Sequence, residues 1–178
     1  AKEVTLGHIG ITNPFKTIDV NASNGAKAVV IGNTKALDSI NVNFAGNLAT
    51  STVGTLAAKA VTVNADNAIG VVDTGDATVT DSYIYTAGLQ GEADAVVINT
   101  TAAATATTVT LNGNIGNDKF TIAGGAHTAA ASTLTVKGDL DIGANTVAVT
   151  SNAADTGVAT IDLSGLTGAA GAGAITVT

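Results

Sequence analysis

Three segments of this chain repeat one short pattern at a nearly constant interval. Ile18-Asp19-Val20-Asn21, Ile40-Asn41-Val42-Asn43 and Val61-Thr62-Val63-Asn64 begin 22 and then 21 residues apart. Side chains alternate faces along a strand, so each segment sets two branched apolar residues on one side and a small polar residue on the other. The pattern returns at Val96-Val97-Ile98-Asn99 and Val109-Thr110-Leu111-Asn112. Beyond that, alternating runs such as Phe120-Thr121-Ile122, Leu134-Thr135-Val136 and Val147-Ala148-Val149 follow at steps near 13. Gly, Asn, Asp and Ser punctuate the gaps, so the class is all-β. A sandwich places strands every 8 to 12 residues, roughly, and would accommodate the second half alone. A step near 20 with Asn closing the strand fits one coil of a parallel β-helix, where aligned Asn side chains form ladders. The expected fold is therefore a β-solenoid with a small-residue core, with a β-sandwich as the alternative.

The core palette agrees. Hydrophobic residues are 46% of the 178, yet aromatics are only 3%, so the apolar mass is Ala, Val, Ile and Leu. Ligand pockets are normally lined with larger and aromatic side chains, which argues against a small-molecule enzyme. Charged residues are 12%, about half the usual share, and 14 acids against 7 bases give a net charge of -7. Such a surface repels nucleic acid and anionic membrane and attracts divalent cations. Without cysteine there is no disulfide framework, thiolate zinc site or cysteine nucleophile. No long apolar run is present, so no membrane span is expected. Ala1 looks like a processed start or the cut edge of a longer protein. Residues 1–178 are read as one β-rich domain or a fragment of a larger protein. The polar stretch 87–94, "AGLQGEAD", is the best sub-boundary. Only Val53 to Ala60 has helix-forming content, one or two turns of it.

One stretch is chemically specific. From Gly113 the residues G-N-I-G-N-D-K-F-T match the calcium-binding nonapeptide G-G-x-G-x-D-x-U-x at four of its five defined positions, with Asn114 in place of the second glycine. The glycines permit the turn, Asp118 offers carboxylate oxygens, and Phe120 is expected to face the core with Ile122. A hard cation takes six to eight oxygens or so, which this loop alone cannot supply. The stretch is read either as a metal-free turn or as part of a calcium site, whose candidate ligands are then Asp118 and Asn114, joined by Asp139 and Asp141 from an adjacent coil. The last two flank Leu140 at i and i+2 and share a strand face, a pairing that serves as a solvated face before it serves as a chelating one. Asp73, Asp76 and Asp81 in a loop-strand-loop region, and Glu92 with Asp94, carry the same two readings. The histidines, His8 and His127, belong to no zinc or hydrolase motif, and no catalytic residue is assigned. Tyr83 and Tyr85 share a strand face, as a stripe on a core edge or as a sugar platform.

"GNDKFTIAGG", the strands "IDVNAS" and "VTVNAD", and "IDLSGLTGAAGAGAITVT" together resemble the RTX-type surface-layer and related giant proteins that Gram-negative bacteria export by type I secretion. The resemblance implies an extracellular, calcium-dependent β-protein at the cell surface that self-associates. The expected function is a structural building block of a surface layer or filament. The alternative is an adhesin or passenger module whose loops, at 64–82 and 87–95, contact a glycan or surface polysaccharide.

Overall fold

The computed structural model describes residues 4–23, 28–45, 50–67, 72–86, 95–100, 107–112, 119–124, 133–137, 146–150, 158–161 and 174–177. All the secondary structure among them is strand. In chain order the strands are β1 (Val4–Leu6), β2 (Phe15–Ser23), β3 (Val29–Ile31), β4 (Thr34–Ala45), β5 (Ser51–Val53), β6 (Leu56–Asn67), β7 (Val72–Thr74) and β8 (Ala77–Thr86). β9 (Ala95–Thr100), β10 (Thr107–Asn112), β11 (Lys119–Gly124), β12 (Thr133–Lys137), β13 (Thr146–Thr150), β14 (Val158–Ile161) and β15 (Ala174–Val177) follow.

Every strand pairing is parallel. A sandwich is built from antiparallel sheets, so the alternative falls and the fold is a β-solenoid. The chain winds in coils, and each coil lays its strands on those of the coil before. β1, β3, β5 and β7 stack into one four-stranded sheet. β4, β6 and β8 are long because each turns a corner within itself, marked by a register shift between Lys35 and Ser39 in β4 and between Ala58 and Ala60 in β6. Each thus serves two faces. The first four coils are consequently three-sided.

The intervals of the sequence are coil lengths. Ile18, Ile40, Val61 and Tyr83 lie in register, and so do Asn21, Asn43, Asn64, Thr86 and Asn112. The expected Asn alignment holds for these rungs, interrupted once by Thr86, while Asn99 lies on the other face, in register with Thr78 and Ala123. The steps near 13 have a different meaning from sandwich strands. Beyond β8 the two faces of that long strand are continued by separate strands. Ala77 to Val79 pair with β9, while Ser82 to Thr86 pair with β10. β11, β13 and β15 then stack on β9, and β12 and β14 stack on β10. Successive strands alternate between two faces, and a step near 13 is half a coil. Among the described residues the four-stranded sheet ends at β7, before the stretch 87–94, which itself lies outside them.

Inward positions are mostly apolar, with Thr34, Ser51, Thr74 and Thr107 buried among them. Ile40, Val42, Phe44, Val61, Val63, Val79, Ile98, Val109, Leu111 and Ile122 are buried, while intervening residues such as Lys35 and Asn41 face out. Two sequence expectations need correction. Val53 to Ala60 is not helical: it belongs to β5, a corner and β6, because inward Val53 and Leu56 stack on their neighbours, which outweighs a weak propensity. The region 64–82, expected to display loops, is mostly β6, β7 and β8, since its branched residues stack on the coil below.

Candidate functional site

The residues with the most defined polar geometry lie at the corners of the coils. At the first corner the pattern apolar-Gly-polar recurs as Leu6-Gly7-His8, Ile31-Gly32-Asn33 and Val53-Gly54-Thr55, and returns with a threonine in first place as Thr74-Gly75-Asp76. The glycines stack. A Cβ on Gly32 would come within 2.9 Å of the Gly7 backbone, and one on Gly75 within 2.9 Å of the Gly54 backbone. Backbone amides link the same rungs, with Gly32 donating to Leu6, Gly54 to Ile31 and Gly75 to Val53.

At three of these corners the polar residue after the glycine, His8, Asn33 or Asp76, ties its coil to the next. His8 Nδ1 accepts from the Asn33 amide at 3.0 Å. Asn33 Oδ1 accepts from Thr55 at 3.1 Å, and Asp76 Oδ1 accepts from Val97 at 2.9 Å. A strand turning a corner leaves amides that no strand partner reaches, and these side chains satisfy them. Asp76, weighed above as a cation ligand or a solvated acid, holds an amide.

The second corner carries charge. Lys16, Asp38, Lys59 and Asp81 stand 22, 21 and 22 residues apart, which is the coil length, with alternating sign. Lys59 Nζ lies 2.8 Å from Asp38 Oδ1, and Lys16 Nζ lies 3.9 Å from Asp38 Oδ2. The Lys59 hydrogen bond holds the Asp38 carboxyl below its usual range, and Asp38 in turn raises the Lys59 ammonium, with Asp81 adding attraction. A lowered carboxylate pKa contributes stability that is present above the unfolded value of 3.8 and is lost as pH falls through the lower folded value. A raised ammonium contributes stability that is fully present below the unfolded 10.5 and is lost as pH climbs through the higher folded value. We expect Asp38→Asn to melt lower than wild type at neutral pH and the gap to close in acid below that carboxylate window, measured by circular dichroism. Added salt narrows the gap too, because the pair is exposed. A gap that persists unchanged into strong acid would rule out the carboxylate as its source.

The third ladder runs across the broad face of the second sheet. Asn41 Nδ2 donates to Asp19 Oδ1 at 2.6 Å, and Ser39 Oγ donates to Thr17 Oγ1 at 3.2 Å. Outward positions here carry Thr, Ser and Asn over several rungs.

Asp118, Asn114, Asp139 and Asp141 all lie outside the described residues, as do the turn 113–118, Glu92, Asp94 and His127. Among the described residues, no group of three or more His, Cys, Asp or Glu side chains is placed to hold a metal ion, and no helix is long and apolar enough to cross a membrane. The backbone of Phe120 and the buried Ile122 lie on β11. Tyr83 and Tyr85 retain 1% and 0% of their exposure, so they fill the core and offer no sugar platform. The corner ladders were missed by reading strands alone, although their signal, residues of one kind returning at the strand interval, is in the sequence. No protein-family model matches this chain, and no curated protein or solved structure does either.

Proposed function

We propose that this chain is a structural building block of an extracellular surface layer or filament, self-assembling and calcium-dependent, of the RTX-type exported proteins that its sequence resembles. The observation that carries the reading is the parallel ladder of β2, β4, β6, β8, β10, β12 and β14. Repetitive coils that contact only their neighbours give a rod whose rigidity comes from repetition, and small core residues let that repetition stay regular. The corners are occupied by side chains that fasten coil to coil, an arrangement suited to bearing load rather than to reshaping around a substrate. Calcium would be held by Asp118 and Asn114, with Asp139 and Asp141, and would stabilise the folded chain by mass action.

Electron microscopy of the purified protein, with and without millimolar calcium, tests the assembly. Ordered layers or filaments are expected, and separate particles under every condition would sink the proposal. Calcium is tested by thermal melting in excess EGTA against millimolar calcium. Wild type is expected to melt higher with calcium and Asp118→Ala to show no rise. A rise that survives Asp118→Ala moves the site elsewhere, and no rise in wild type removes calcium from the proposal. The adhesin reading, with its glycan contact, loses the aromatic platform to the core and rests on loops alone.

A further inference from the structure

The second corner alternates in shape as well as in charge. β2 places one residue, Lys16, between Phe15 and Thr17, where β4 places two, Leu37 and Asp38, between their partners Ala36 and Ser39. β6 places two, Ala58 and Lys59, between Ala57 and Ala60, where β4 places three between Lys35 and Ser39. β8 again places two, Thr80 and Asp81, between Val79 and Ser82, where β6 places one between Ala58 and Ala60. The corners of β4 and β8 therefore carry one residue more than those of β2 and β6, and the extra residue makes the chain bulge. The bulged corners bear the acids, Asp38 and Asp81, and the narrow ones bear the lysines. Leu37, beside Asp38, is 56% exposed although coils lie on both sides of it. Its exposure belongs to the flank of the solenoid and not to an end. The charges are open to solvent too: the side chains of Lys16, Asp38 and Lys59 keep 83%, 36% and 56% of their exposure despite their pairing, and Asp81 is exposed.

We propose that this corner docks sideways onto the same corner of a second copy of the chain, the two solenoids lying antiparallel about a two-fold axis. The proposal rests on the self-assembly reading above and names one of its surfaces. Charge complementarity selects both the occupant and its direction. Reversing a four-rung series of alternating sign inverts it, so a two-fold axis sets Lys16 against the partner's Asp81 and Asp38 against the partner's Lys59, each pair occurring twice. All four facing pairs are opposite in sign. Shape follows the same parity. The axis brings the bulged corner of β4 opposite the narrow corner of β6, and the bulged corner of β8 opposite the narrow corner of β2. Leu37 then enters the space over the small side chain of Ala58. The strand spacing is shared by both copies, so all four rungs meet at once along a span of about 14 Å, three steps of the ladder. Two copies side by side in the same direction would set Lys16 on Lys16 and Leu37 on Leu37. A partner of one sign, such as nucleic acid or an anionic membrane, would meet two lysines and two aspartates and gain nothing net. The contact is narrow and exposed, so the association is weak and sensitive to salt.

The test is sedimentation equilibrium over a concentration series for wild type, Lys16→Asp, Asp81→Lys and an equimolar mixture of the two variants. Wild type is expected to dimerise, with a dissociation constant that rises with salt. Each variant alone sets like charges at two of the four facing pairs, acid on acid in Lys16→Asp and cation on cation in Asp81→Lys. Each is expected to associate with itself about tenfold more weakly than wild type, or less still. In the mixture every facing pair is opposite in sign again, and the heterodimer is expected to regain the wild-type affinity. Mixing cannot rescue a chain that has lost its fold, so recovery separates docking from stability. Variants that associate as wild type does, or a mixture that stays dissociated, overturn this docking face and leave self-assembly standing through another surface. A wild type that stays monomeric at every concentration overturns both.

Discussion

Gly54→Val is expected to lower the unfolding free energy by about 3 kcal/mol. The position is crowded on the side where a Cβ must go. That atom would lie 2.6 Å from Asn33 Oδ1, 2.8 Å from the Asn33 amide nitrogen and 2.9 Å from the Gly32 carbonyl carbon. Two of the three are backbone, and the third is a side-chain oxygen already accepting from Thr55, so none can retreat without loss. To relieve the clash the coils must separate locally, which strains the Gly54 to Ile31 and Gly75 to Val53 amide bonds on either side. Valine adds bulk beyond Cβ to a site that does not accept even alanine. Urea unfolding followed by circular dichroism measures the loss. A change within about 0.5 kcal/mol, the range of an ordinary surface substitution, would show that the corner does not carry the close approach described above. The same substitution at Gly7, where nothing is near, provides the internal comparison.

Tyr85→Ala should cost about 3 to 5 kcal/mol, the range for deleting a large buried ring. Tyr83 and Tyr85 are among the largest fully buried side chains, and both project from β8. Tyr85 lies in register between Val63 and Leu111, so its removal opens a void between two coils that cannot close without breaking the ladder. Because coils contact their neighbours alone, the damage should be local first. Amide exchange in β6, β8 and β10 is expected to accelerate by orders of magnitude before the distant first coils respond. A loss below about 1 kcal/mol would indicate that the ring is accessible, as the sugar-platform reading requires, because an exposed side chain forfeits little on truncation.

The strands and the solenoid were legible because one physical variable, the inward or outward sense of each residue, is written directly in the alternation of Val, Ile and Leu with Thr and Asn. The coil length was legible as well, since Ile18, Ile40 and Val61 repeat it. The halved steps were not. They look like a change of fold, yet only the partition of the coil changes: β7 is the last strand of its sheet, and β8 hands its two faces to β9 and β10. A linear pattern of apolar residues does not say which face a strand occupies. Helix content at Val53 to Ala60 misled for a related reason, because stacking on neighbouring coils decides the backbone there. The corner residues were legible in principle. Gly32, Gly54 and Gly75, or Lys16, Asp38, Lys59 and Asp81, stand out once the sequence is written in rows of about 22 residues, but each looks like an isolated turn or surface residue when read alone. The calcium ligands were reasoned from the motif at Gly113 to Phe120, and their side chains lie outside the described residues.

The alternating charges at the second corner also act as a parity check on winding. Identical-looking coils invite a mistake during folding, in which a strand skips its neighbour and seats on the coil after it. Apolar columns cannot detect that mistake, because Ile18 would meet Val61 as comfortably as Ile40. The ladder can. Skipping one coil would bring Lys16 to Lys59, or Asp38 to Asp81, so an odd slip sets like charges together. An even slip would restore opposite signs, but it must exclude two whole coils and bury far less. Correct winding is thereby favoured over both errors for separate reasons: the short slip repels, and the long one forfeits its core.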